Sequence, residues 1–120
     1  MDSTSARDAS TPIDLQSLGT ELLEQAGSAR AGRAGRTLPH PVDGLRQTVI
    51  ALNTGEELSE HESPGPATLL VIRGRVRLVA GDDSVELGAH QLSPIPNRRH
   101  SLHADEDSVV LLSVAVATGA

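Results

Sequence analysis

Two of the five histidines, His61 and His100, stand in stretches punctuated by glycine and proline, where a side chain can be presented at the end of a strand. An imidazole there has two uses near neutral pH: it ligates a metal or it moves a proton. Ser63 follows His61 at the period of two, so an extended strand puts both on one face. His100 directly follows Arg98 and Arg99, whose planar guanidinium forks suit a carboxylate or a phosphate. The candidate ligand-binding residues are His61, Ser63, Arg98, Arg99 and His100.

Other chemistry is closed off by composition. A tightly held first-row divalent ion takes at least about three nitrogen, sulfur or carboxylate ligands in fixed geometry. Glu60 and Glu62 flank His61, and His103 lies three residues beyond His100, so regular strands turn all three to the opposite face; only a bulge brings one inward. The chain has no cysteine and no tyrosine, and all ten basic residues are arginine, which removes a thiol nucleophile, a phenolic acid and a Schiff-base lysine. No Gly-x-Ser-x-Gly elbow occurs. Phe and Trp are absent too, so a ligand that relies on aromatic stacking, worth about 1–3 kcal/mol per base, has nothing to stack on. With a net charge of −6 and no basic run, nucleic acid is not an expected partner.

The elements that must carry these residues read as follows. Residues 1–12 are rich in Ser, Thr, Asp and Ala and are expected to form a disordered tail. Residues 13–36 are expected to hold a helix and a connector: Leu15, Leu18, Leu22, Leu23 and Ala26 recur at helical spacing behind Pro12 and Asp14, and Gly27 to Gly35 lose that periodicity. Residues 37–120 form the main domain. There, Leu45–Leu52, Thr68–Ile72, Arg75–Ala80, Ser84–Leu87, Gln91–Ile95, Arg99–His103 and Ser108–Ala117 read as strands between Gly, Pro, Asp and Asn turns. Gly81-Asp82-Asp83 reads as a hairpin turn, with Val76, Leu78, Val85 and Leu87 inward and Arg75, Arg77 and Glu86 outward. Arg73, Arg75 and Arg77 read as one solvated strand face, and His40 and His90 as exposed loop residues. Thr68–Ile72 and Val109–Val116 are apolar on both faces, so the helix or a second copy of the chain must cover one side; a homodimer is expected. No apolar run approaches the ~18 residues of a membrane span and the N-terminus has no signal-like pattern, which predicts a cytoplasmic, membrane-free protein.

Gly55-x5-His61-x-Ser63-x3-Ala67-x6-Gly74 and Gly88-x5-Pro94 followed by His100 resemble the two signature motifs of the cupin superfamily over residues 45–117. The resemblance implies an all-β, antiparallel jelly-roll barrel of the RmlC-like kind with a short N-terminal helix. It also implies a metal site of three histidines and a glutamate. Ser63 and Ala67 stand at two of those four positions, so the motif is degenerate. Pro96 replaces the glycine usual in the second turn, where Asn97 is expected to supply the left-handed residue. Three functions follow. The favoured one is binding of a small, acidic ligand with a reduced or absent metal site and no cofactor. The alternative is a metal-dependent oxygenase or isomerase using His61 and His100 with Fe, Mn, Ni or Zn, and a structural or regulatory barrel without ligand stays open as a third.

Overall fold

The computed structural model describes residues 11–39, 42–61 and 65–117, without the side chains of residues 60 and 61. Most of the expected tail, Ser63 and His40 therefore lie outside the described residues.

One helix precedes nine strands. Helix α1 (Leu15–Ser28) starts at Asp14, whose carboxylate accepts from the backbone N–H groups of Gln16 at 3.0 Å and Ser17 at 3.1 Å. The strands are β1 (Arg33–Thr37), β2 (Leu45–Leu52), β3 (Glu57–His61), β4 (Ala67–Arg73), β5 (Arg75–Ala80), β6 (Asp83–Gly88), β7 (Leu92–Pro94), β8 (His100–Ala104) and β9 (Ser108–Ala115). They pair into a five-stranded sheet, β1-β2-β9-β4-β7, and a four-stranded sheet, β3-β8-β5-β6. All pairings are antiparallel, the jelly-roll expectation realised as two facing sheets.

Two apolar layers hold this together. Between the sheets lie Leu52, Leu69, Val71, Val76, Leu78, Leu87, Leu102, Ala104 and Val110. Leu18, Leu22 and Ala26 of α1 cover Val49, Ala51, Ile72 and Val109 on the outer side of the larger sheet. The helix thus covers the second apolar face of β4 and β9; Leu92, at that sheet's edge, stays 64% exposed.

Register irregularities place side chains that plain alternation misplaces. Along β4, Val71 faces Val110 but Arg73 faces Val109, so the chain gains one residue at Ile72. Both Ile72 and Arg73 then face α1: Ile72 joins the helix core, and the Arg73 Nη2 donates to the Thr20 hydroxyl at 2.9 Å and the Gln16 carbonyl at 3.2 Å. Arg73 is therefore a helix clamp and not part of a solvated stripe. Gly74 then carries the chain from one sheet to the other with φ +92.

Val85 shares the inward face with Leu78 as expected, and is 45% exposed because β6 is an edge strand. Two further expectations are corrected. Residues 33–37 form edge strand β1, with only Ala34 as an aliphatic signal, because β2 offers it a full ladder. Asn97 has no positive φ; His90, exposed as expected, is the one described non-glycine residue that does.

Candidate functional site

His100 opens β8, and the inward alternation it shares with Leu102 and Ala104 buries it to 3% exposure. Its Nδ1 lies 2.8 Å from the carbonyl oxygen of Arg98, two residues back, because the turn before β8 folds that carbonyl over the ring. A carbonyl accepts only from a protonated Nδ1, and such a bond is the arrangement that orients histidines for ligation or proton transfer. In register, His61 stands directly opposite His100. Between Leu58 and His61 β3 advances three residues while β8 retreats two, so a bulge lies beside the pair. His103 is turned to the opposite face, as its odd spacing from His100 requires.

Next to His100 the sandwich is open. A cleft of about 230 Å³ lies where edge strands β6 and β7 part, walled by Leu78, Ala80, Val85, Pro94 and Pro96 with Asp83, Ser84 and Ser93 among them. Ala80 is one step beyond the Val79–Ser101 pair, which puts it beside His100 on the inner face. At the rim the Arg98 guanidinium pairs with the Asp83 carboxylate, both largely exposed. Arg99 is exposed. On the other side of β7 a hollow of about 420 Å³ is lined by Gly65, Pro66, Ala67, Pro94, Ile95 and Asn97. The structure thus gathers Arg98 and His100 at one end of the sandwich, with the backbone of His61 across the ladder; Ser63 is not described there. Asp83, the partner of Arg98, was not foreseen, since nothing in a hairpin turn announces a contact with a distant loop.

The metal expectation can be weighed on the donors themselves. Ala67 contributes only a methyl, and among the described residues no three His, Asp or Glu side chains come together. One oriented imidazole falls short of the usual three or four protein ligands, so the described residues do not by themselves fit a tightly bound metal.

No family model matches the chain, and no curated protein matches it. Solved structures do. A conserved protein of unknown function from Streptococcus pyogenes superposes with a TM-score of 0.66 at 27% identity, over 76% of this chain and 80% of that one. A cupin superfamily protein from Desulfitobacterium hafniense does so with a TM-score of 0.64 at 17% identity, over 71% of this chain and 78% of the other. A salicylate 1,2-dioxygenase from Pseudaminobacter salicylatoxidans reaches a TM-score of 0.72 at 16% identity, over 82% of this chain but only 33% of its own. Two facing antiparallel sheets, the Gly74 crossover and these likenesses lead to one conclusion: the chain has the cupin fold, as a single domain.

Proposed function

We propose that this protein binds a small acidic molecule in the cleft between β6 and β7. The observation that carries the reading is the Arg98–Asp83 pair at the rim of an aliphatic cleft beside buried His100. Leu78, Ala80, Val85 and Pro94 remove apolar ligand surface from water, at roughly 25 cal/mol per Å². The ion pair is solvent-exposed and contributes only about 0–1 kcal/mol, so a ligand carboxylate can take the guanidinium from Asp83 with little loss.

Two-dimensional amide NMR with hexanoate and salicylate as probes tests this, with hexanol as the neutral control. The acids should shift the amides of Ala80, Val85 and Ser93, and Arg98→Ala should weaken their binding by about 2-fold to 5-fold, the scale of a solvent-exposed ion pair. Equal binding of hexanol, or indifference to Arg98→Ala, would refute the reading.

A second reading is favoured by the His100 ring, held by a backbone carbonyl and facing the His61 position across the ladder. It makes the chain a metal-dependent oxygenase or isomerase with His61 and His100 as ligands. Near-stoichiometric metal in tag-free protein, lost in both His61→Ala and His100→Ala, would favour it over the metal-poor binding protein.

A further inference from the structure

Helix α1 packs on the larger sheet, so among the described residues no helix covers the outer face of the four-stranded sheet. On this face β8 presents Ser101 and His103, alternate residues of one strand. The Ser101 hydroxyl lies 2.9 Å from His103 Nε2, and His103 Nδ1 lies 3.4 Å from a carboxylate oxygen of Glu57. Glu57 is held opposite His103 by the β3–β8 register, so all three groups stand on paired strands and not on loops. On the other flank Arg77 also faces His103, but its Nε donates to Asp105 at 3.0 and 3.1 Å. The Arg77 guanidinium is thus engaged by Asp105, and the Glu57 carboxylate is the acid next to Nδ1.

A hydroxyl on Nε2 and a carboxylate on Nδ1 are the relations required of a nucleophile, its base and the acid that orients the base. We propose that Ser101, His103 and Glu57 transfer the acyl group of small activated esters to water. Ser101 Oγ bonds to the acyl carbon while its proton passes to His103 Nε2. The ester C–O bond then breaks, and the leaving oxygen takes that proton. In the second half, His103 Nε2 accepts a proton from water as the water oxygen attacks the acyl-serine. The acid departs and the proton returns to Ser101. One ester and one water become one acid and one alcohol, with no change of oxidation state, and Glu57 stays ionised throughout. Ser101 is only 6% exposed, which restricts the acyl group to something as small as acetyl. With no charge placed on the oxyanion, water alone stabilises it, which restricts the leaving group to a good one such as a nitrophenolate.

The full chain with p-nitrophenyl acetate provides the test, read by nitrophenolate release and by peptide mass mapping of the acetyl group. Acetyl should appear on Ser101. Release should fall to the background of free imidazole in Ser101→Ala and by about 100-fold in His103→Gln, the scale of general-base catalysis. Glu57 acts through His103, so Glu57→Gln should lower kcat without changing KM, and Glu57→Asp should restore part of it. Equal release from wild type and Ser101→Ala overturns the proposal, as does acetyl found only on other residues of the wild type. The mapping needs no variant, so it decides the matter even if Ser101→Ala fails to fold.

Discussion

Substituting Gly74 by alanine asks whether the crossover between the sheets is as tightly built as its contacts imply. Gly74 has φ +92, and a Cβ there would run into the Ser108 hydroxyl and the Asp107 carbonyl and come within 2.8 Å of the Ser108 Cα. None of these can yield cheaply. Ser108 is fully buried, and its hydroxyl donates to Glu106 O at 2.8 Å and accepts from Arg75 N at 3.1 Å. The left-handed conformation costs a residue with a Cβ about 1–2 kcal/mol. Forcing extra volume into packed backbone costs roughly 1–3 kcal/mol more. A total loss of about 2–5 kcal/mol is a large part of the roughly 5–15 kcal/mol that stabilises a domain. Urea unfolding is the assay, followed by far-UV circular dichroism because a chain without Trp or Tyr gives no useful fluorescence. At a slope of about 1–1.5 kcal/mol per molar, the midpoint should fall by roughly 1.3–5 M. Gly55 is the internal control: its φ is +86 but nothing lies within 4 Å of its added Cβ, so Gly55→Ala should lose only about 1–2 kcal/mol. Equal losses in the two variants, or less than about 1 kcal/mol at Gly74, would show that the close approach to Ser108 has been misread.

Leu22 is fully buried between α1 and the larger sheet, so Leu22→Ala should destabilise by about 2–5 kcal/mol, measured by the same urea curves. Removing the clamp in Arg73→Ala should cost about 1 kcal/mol and speed amide exchange in the first turns of α1 more than in β9. Asp107 accepts from the backbone N–H and hydroxyl of Thr54, which lowers its pKa below the ordinary 3.8. A depressed carboxylate stabilises above its ordinary value and loses that contribution as pH falls from 3.8 toward the lower folded value. The urea midpoint of the wild type should therefore drop more steeply below pH 3.8 than that of Asp107→Asn.

What could be read in advance depended on whether local pattern or long-range pairing decides a residue's place. Alternation in Arg75–Ala80 and a Gly81 turn sufficed for the β5–β6 hairpin, and Leu18, Leu22 and Ala26 for the buried side of α1. Strand β1 has no such signal and exists because β2 pairs with it. The bulge that swings Arg73 onto the helix leaves no mark in sequence, since it belongs to the register between β4 and β9. The same division runs through the site. The opposite facing of His100 and His103 followed from their odd spacing, while the Arg98–Asp83 contact and the pairing of Glu57 with His103 each join distant segments. Glu57 in particular went unnoticed because Glu57–His61, with Leu58 its only aliphatic residue, does not look like a strand until β8 lies beside it.

The place of β9 at the centre of the larger sheet governs how the polypeptide is made. Residues 108–115 pair with both β2 and β4, so neither of those strands has its inner neighbour until residues 108–115 have left the ribosome. Until then the nascent protein exposes two valine- and leucine-rich edges, the kind that draws chaperones or nascent neighbours. Synthesis that stalls just before Ser108 leaves an insertion slot instead of a partly finished domain, and a free peptide of the β9 sequence is the natural strand to fill it.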